Sequence, residues 1–308
     1  LAILRHVYRS QQFTRELLET LFGQAELFEQ VSALGNINHF PNKTMAALFY
    51  EPSTRTRLSF EAAMLRLGGK VMGTESARRF SSALKGESLE DTIRVVENYA
   101  DVIVLRHDKE GGAERAAKVS SVPIINAGDG PGQHPTQALL DLYTIRRELG
   151  GIDGVTAALI GDLAKGRAVR SLAYLLSKYA VAKIYFVAPP SAQIAPDILA
   201  HLGEHGIAYE LADELGAIVP LVDVIYQTRI QKERYTDPEE LARVQQGCYT
   251  ITSATLAAMK QSAIVMHPLP RNDEIATEVD SDPRAAYFRQ ARNGLFVRMA
   301  LLSMVLSH

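Results

Sequence analysis

Apolar side chains fall along this chain in short runs that alternate with helical stripes. Between residues 11 and 34, Phe13, Leu17, Leu18, Leu21, Phe22, Leu27, Phe28 and Val31 recur at helical spacing before Gly35, which predicts an amphipathic helix. The apolar run 45–50 is cut by Pro52. Beyond it Leu58, Phe60, Ala63, Met64 and Leu67 resume the helical spacing until Gly68-Gly69, so this stretch reads as strand, tight loop and helix. Residues 70–73 predict another short strand, and 74–87 a polar loop. Ser88 and Asp91 make a capping box for a helix whose buried stripe is Ile93, Val96 and Tyr99. Strands at 101–105 and 122–126 follow, the first ending in Arg106-His107, the second in Ala127-Gly128-Asp129-Gly130-Pro131-Gly132. His134-Pro135-Thr136-Gln137 then opens a helix with Ala138, Leu142, Ile145 and Leu149 on one side.

Gly150-Gly151 predicts a hinge, after which the alternation restarts. A strand at 155–160, the turn Gly161-Asp162-Leu163-Ala164-Lys165-Gly166-Arg167 and a helix through Val169, Leu172, Ala173 and Leu176 lead into strands at 183–188, 207–211, 223–227 and 263–266. A charged stretch runs to residue 246. A long helix over 283–306, carrying Tyr287, Phe288, Ala291, Leu295, Phe296, Met299 and Leu302, is expected to return to the first domain. The pattern predicts an α/β protein: two doubly wound parallel-sheet domains joined by helices, one formed by 1–133 with 286–308 and the other by 134–285. Ligands in such sheets bind beyond the carboxyl ends of the strands, so the loops after Tyr50, Arg106 and Asn126 are expected to share a crevice.

Composition narrows the chemistry. The 308 residues, 47% hydrophobic and 22% charged, are ordinary for a globular protein and long for a single core. A net charge of −2 gives no general attraction to nucleic acid or anionic membranes, which favours a small anionic ligand held by selected arginines. The single cysteine, Cys248, excludes an intrachain disulfide and a multi-cysteine zinc site, reads as a small hydrophobe and favours a reducing compartment. No apolar run is long enough to span a bilayer, and the first fifteen residues do not read as a secretory signal. The turn at 161–167 lacks the three-glycine fingerprint, and no lysine followed by Ser or Thr closes a phosphate loop. Neither a dinucleotide nor an ATP site is expected.

Candidate chemistry gathers at strand ends. Ser53-Thr54-Arg55-Thr56-Arg57 lies where a helix begins, and the first amides of a helix have no intrahelical acceptor, so they can hold an anion. Three hydroxyls add donors, and Arg55 offers a planar fork to two phosphate oxygens. The alternative for this run alone is an N-capped helix with a solvated basic turn. Three residues apart at a helix mouth, His134 and Gln137 are placed to hydrogen-bond one small polar group; a structural histidine is the alternative. Arg229 and Gln231 are expected to project to one side of an extended segment and grip a carboxylate, whereas Lys232-Glu233-Arg234 reads as solvated surface. In His267-Pro268-Leu269-Pro270-Arg271 two prolines remove amide donors, leaving carbonyls to point outward.

With these segments in view, the chain resembles the aspartate and ornithine carbamoyltransferases along nearly its whole length. Ser-Thr-Arg-Thr-Arg at 53–57 matches the carbamoyl phosphate signature of that superfamily. His-Pro-Thr-Gln at 134–137, His-Pro-Leu-Pro-Arg at 267–271 and Thr-Arg-Ile-Gln-Lys-Glu-Arg at 228–234 look like its aspartate branch, where the ornithine branch usually has His-Pro-Cys-Gln and His-Cys-Leu-Pro.

The resemblance implies attack of the α-amino group of L-aspartate on the carbonyl of carbamoyl phosphate, early in pyrimidine synthesis, with no enzyme nucleophile, cofactor or metal. It implies that Ser53, Thr54, Arg55, Thr56 and Arg106 hold phosphate, that Thr56, Arg106 and His134 polarise the carbonyl, and that Gln137 and the carbonyls near Leu269 and Pro270 bind the carbamoyl nitrogen. Arg167, Arg229 and Gln231 would bind aspartate. Ser81 and Lys85 would reach into a neighbouring subunit's site, which makes the expected assembly a homotrimer with shared active sites. A regulatory chain or a fused pyrimidine-pathway enzyme occurs among such proteins. The expected location is the cytoplasm, or an organelle if an import segment has been trimmed.

Overall fold

The computed structural model describes residues 4–32, 35, 37–75, 86–232, 235–246 and 249–307. Ser81, Lys85, Glu233, Arg234 and Cys248 lie outside them. The chain divides into two compact units, Leu1–Leu139 with Arg292–His308, and Leu140–Ala291.

In the first unit α1 (Arg15–Ser32) precedes β1 (Thr44–Phe49), α2 (Thr54–Arg66), β2 (Lys70–Glu75), α3 (Leu89–Val96), β3 (Val102–His107), α4 (Gly112–Val119), β4 (Ile124–Asp129) and the start of α5 (Pro135–Leu149). The four strands form a parallel sheet in the order β2-β1-β3-β4, so the winding direction reverses between β1 and β3. Parallel strands covered on both faces read as continuous apolar runs, as β1 does. On one face Ala46, Leu48, Ile103, Leu105 and Ile124 pack with Leu89 and Ile93 of α3 and Ala116 of α4.

The second unit holds β5 (Thr156–Ile160), α6 (Arg167–Leu176), β6 (Lys183–Val187), α7 (Pro196–Glu204), β7 (Tyr209–Ala212), β8 (Val224–Gln227), α8 (Pro238–Gln246), α9 (Ser253–Ala258), β9 (Ile264–Met266) and the start of α10 (Tyr287–Leu306). Its sheet is also parallel, in the order β7-β6-β5-β8-β9, and reverses between β5 and β8. Ala158, Ile160, Ile225 and Val265 pack with Leu256 and Tyr287 in its core. The part of α10 from Arg292 onward belongs to the first unit, where the Arg298 guanidinium lies 5.1 Å from the centre of the Phe60 ring.

Several local expectations are corrected. The first helix begins at Arg15 because Thr14 caps it, its Oγ1 accepting from the Leu17 amide at 3.2 Å. Ser88 caps α3 as expected, but the Asp91 carboxylate accepts from the Ser88 hydroxyl at 2.7 Å. Leu27, Leu58, Tyr99 and Phe288 are exposed, not part of buried stripes. Helix α4 was not expected: its buried positions are Gly112, Ala113 and Ala116, whose small side chains leave little hydrophobic periodicity. The charged stretch before residue 246 contains a helix, α8, with Pro238 in the first turn followed by Glu239 and Glu240, a sound helix start. Conversely, residues 284–286 are not helical. The Val265 amide donates to Arg284 O and the Ala286 amide to Val265 O, both at 2.8 Å, so this segment extends β9 pairing before α10 starts.

Candidate active site

Both winding reversals bring functional side chains to strand ends. In the first unit β1 leads through residues 50–53 into α2, with Ser53 at the N-cap. Its hydroxyl makes no capping bond, while its carbonyl accepts from the Arg57 amide at 3.2 Å. The amides at the start of α2 therefore open onto the loop together with that hydroxyl. Thr54 and Arg55 are exposed, Thr56 is buried, and Arg57 turns back along the helix to Glu61 at 3.5 Å.

Arg106, the penultimate residue of β3, lies directly beside this loop. Its backbone is in register with Phe49, and its carbonyl accepts from the Tyr50 amide at 2.8 Å. The guanidinium is braced on two sides, by Glu51 Oε2 at 3.2 Å and by Ala127 O at 3.2 Å. Glu51 escaped the sequence reading; its carboxylate places a negative charge beside the loop that Arg106 offsets.

The loop after β4 is held from beneath. Asp129 accepts from the Gln133 amide at 2.8 Å and the Gly111 amide at 3.0 Å, and the Gly130 amide reaches His107 O at 2.9 Å. Gly130 has φ 48°, and a Cβ there would stand 2.7 Å from Asp108 O, so glycine is required. His134 then begins α5: its carbonyl accepts from the Gln137 and Ala138 amides at 3.1 and 3.2 Å, and both His134 and Gln137 are buried. Ser53 to Thr56, Arg106 and His134 thus lie at or beyond the carboxyl ends of three adjacent strands, spread over two interstrand spacings, about 10 Å.

In the second unit the loops after β5 and β8 are tied across the reversal. A Cβ on Gly161 would lie 2.4 Å from Thr228 O, closer than any side chain permits. The fully buried Asp162 accepts from the Lys165 amide at 3.1 Å on one loop and the Gln231 amide at 3.2 Å on the other. The Gln231 side chain donates to Lys165 O at 2.9 Å. Arg167, the first residue of α6, is buried. The Arg229 guanidinium donates to Ile230 O at 3.2 Å, so Arg229 and Gln231 engage different backbone carbonyls. Asp162 was not singled out from sequence, because its role lies in joining two loops 69 residues apart.

The third loop follows β9. Its Leu269 has φ 51°, in the left-handed region, and the Leu269–Pro270 peptide is cis. The Leu269 amide donates to His267 Nδ1 at 2.8 Å, and His267 Nε2 lies 2.8 Å from Glu274 Oε1. Burial pushes the Glu274 carboxyl up, but hydrogen bonds from His267 and the backbone outweigh it and hold it below the usual range. Arg271 is occupied by Asp280, at 2.6 Å for one oxygen, and by the Tyr287 hydroxyl at 3.1 Å. Burial and Asp280 push the Tyr287 hydroxyl to about 12.

Among the described residues His201, Glu204 and His205 bring three donor atoms within 4.8 Å of one another. They lie at the carboxyl end of α7, with the centres of the two imidazole rings 4.1 Å apart and the rings tilted by 41°. His201 Nε2 lies 2.9 Å from the Ser177 hydroxyl and His205 Nδ1 lies 2.9 Å from His201 O, so a ring nitrogen of each is already engaged within the protein.

Two switch-point loop sets, one rich in anion donors and one carrying arginines on cross-tied loops, define an α/β enzyme of small anionic substrates. The family model described as the carbamoyl-P binding domain of aspartate/ornithine carbamoyltransferase matches residues 5–147, and the Asp/Orn binding domain model matches 153–305. The chain belongs to the aspartate/ornithine carbamoyltransferase family. It is 54% identical over 304 residues to the chloroplastic aspartate carbamoyltransferase of Arabidopsis thaliana, covering 98% of this chain and 78% of that protein. With the aspartate carbamoyltransferase catalytic subunit of Methanopyrus kandleri it shares 49% identity over 98% of this chain and 97% of the other. The crystal structure of Trypanosoma cruzi aspartate transcarbamoylase with N-(phosphonacetyl)-L-aspartic acid is similar at a TM-score of 0.93 and 42% identity, covering 98% and 95% of the two chains.

Proposed function

We propose that this chain transfers the carbamoyl group of carbamoyl phosphate to the α-amino group of L-aspartate, giving N-carbamoyl-L-aspartate and phosphate for pyrimidine synthesis. The observation that carries the reading is the anion-donor loop at the tip of α2 lying beside Arg106 at the reversal of the first sheet. The amine nitrogen bonds to the carbonyl carbon, the bond from that carbon to the phosphate oxygen breaks, and the amine proton leaves with phosphate. Carbamoyl phosphate is already activated. The protein's work is therefore alignment and stabilisation of the charge that develops on the carbonyl oxygen.

Residues 1–133 with 286–308 serve carbamoyl phosphate and 134–285 serve aspartate. Ser53, Thr54, Arg55 and Thr56 take the phosphate; Thr56, Arg106 and His134 polarise the carbonyl; and Gln137 with the Leu269 and Pro270 carbonyls binds the carbamoyl nitrogen. Arg167, Arg229 and Gln231 take the aspartate carboxylates, joined by Lys85, and Ser81 adds a phosphate donor. The last two come from a neighbouring copy in a homotrimer. Exposed apolar side chains of the first unit, among them Leu58 and Leu65 on α2, Met72 on β2, Val95 on α3 and Tyr99, support a subunit interface on that unit. A cytoplasmic location rests on the single cysteine.

The test is phosphate release from carbamoyl phosphate with L-aspartate or L-ornithine as acceptor. Release with aspartate alone is expected; release with ornithine and not aspartate would overturn the reading. Mixed Lys85→Ala and Arg55→Ala chains, each inactive alone, are expected to regain activity once their subunits exchange, and no recovery would count against shared sites.

A further inference from the structure

We infer that His267 is a positioning residue which, as a neutral imidazole carrying its proton on Nε2, holds Leu269 in the backbone conformation that presents the Leu269 and Pro270 carbonyls to the carbamoyl nitrogen. This rests on the proposed use of those two carbonyls.

Hydrogen bonding fixes the tautomer. An amide can only donate, so the Leu269 amide, 2.8 Å from Nδ1, requires a lone pair there. The carboxylate of Glu274, 2.8 Å from Nε2, accepts, so the proton is on Nε2. The ring is fully buried, and the same Glu274 carboxylate also takes the Asn272 amide at 3.1 Å, so one anion binds both His267 and the far side of the turn. From below, the His267 amide donates to Gln290 Oε1 at 2.9 Å. The Gln290 amide nitrogen is in turn committed to Asp141 Oδ1 at 2.6 Å, whose other oxygen accepts from the Tyr226 hydroxyl at 2.6 Å. Asp141 is fully buried and Gln290 nearly so; this chain of polar groups anchors the base of the loop to α5, α10 and β8.

Leu269 is the only residue other than glycine with a positive φ among those described. For an L-residue that region is sterically unfavourable, so it persists only where surrounding contacts over-determine it. The bond from Leu269 N–H to Nδ1 is the contact that does so, closing a two-residue turn between His267 and Leu269. Glu274 is three residues beyond Arg271, outside the motif that marks the loop in the sequence, yet it orients the ring that shapes it.

The two ring nitrogens can be separated by substitution. His267→Asn keeps an acceptor near Nδ1 and loses the reach to Glu274, whereas His267→Gln keeps the reach to Glu274 and loses the acceptor. With wild-type protein turning over carbamoyl phosphate and aspartate, His267→Gln is expected to lower kcat and raise KM for carbamoyl phosphate by about tenfold. His267→Asn should stay within about threefold of wild type, and inhibition by inorganic phosphate should be unchanged in both. Exchange of the backbone amides across 267–271, followed by mass spectrometry on the assembled protein, is expected to speed up only in His267→Gln. Equal kinetics and equal exchange in the two variants, or a more damaged His267→Asn, would overturn the inference while leaving the proposed reaction standing. A wild-type protein without turnover would remove both.

Discussion

The candidate loops of the two units hold their polar groups in opposite ways. In the first unit the anion donors sit in one contiguous run, Ser53 to Thr56, and secondary structure alone orients them: a strand ends, a helix starts, and its unsatisfied amides point outward. In the second unit the corresponding groups are scattered over loops after β5, β8 and β9. Each loop depends on a buried polar side chain, Asp162 for the first two and His267 with Glu274 for the third. An inorganic group shared by all substrates can be met by backbone geometry. A particular acceptor must be met by arginines whose loops are fixed one against another.

The comparison breaks most visibly at Arg55. Arg55→Ala is expected to lower kcat/KM by about a hundredfold or more in the phosphate-release assay with little change in melting temperature, because the side chain is exposed. Near-normal kinetics would mean that the helix tip suffices without it. Asp162→Ala strands the Lys165 and Gln231 amides at once, so KM for aspartate should rise on the order of tenfold while inhibition by phosphate holds. A matching loss of phosphate binding would erase the division of labour between the units. Glu51→Gln should be milder: Arg106 loses a charged brace while the loop loses a negative charge. A kcat decrease of roughly three- to fivefold with phosphate binding held or tightened is the expected pattern.

Acid should expose the smallest difference. In the second unit four carboxyl groups in one stretch are held below their usual range. Glu274 is lowered despite burial by His267, Glu278 by the Ser253 amide, Asp280 by Arg271 and Asp282 by Arg284. In the first unit Glu90 is lowered, by its own backbone first and then Arg115. A depressed carboxyl contributes stability that is fully present above the unfolded value of about 4 and is lost as pH falls through the lower folded value. Amide protection around β9 should therefore fade before that around β1 as pH drops below about 4; simultaneous loss would show that these carboxylates do not decide the order.

This contrast also explains what the sequence could tell. The strand, loop and helix around Ser53 were legible because an apolar run, a proline and a helical stripe lie side by side, and the parallel architecture followed from their repetition. Helix α4 was hidden by its alanines, and the exposed Leu27, Leu58, Tyr99 and Phe288 broke stripes that spacing alone had filled. Glu51, Asp162, Glu274, Asp141 and Gln290 gave no local signal, since each acts on a partner distant in the chain or on a backbone group whose position the fold decides. Arg229 and Gln231 were read as a pair from their two-residue offset; that one bond of each goes to a different backbone carbonyl, Ile230 O and Lys165 O, is a detail the offset does not carry.

The clearance at Gly161 bears on how such an enzyme could be given a new acceptor. With no space for even a methyl group against the Thr228 carbonyl, the ends of β5 and β8 are locked at one separation. On the proposed use of Arg229 and Gln231, diversifying the amino-acid specificity proceeds through side chains at 229 and 231 with position 161 kept as glycine. Libraries that randomise the turn at 161 would be dominated by variants whose acceptor loops have been pushed apart.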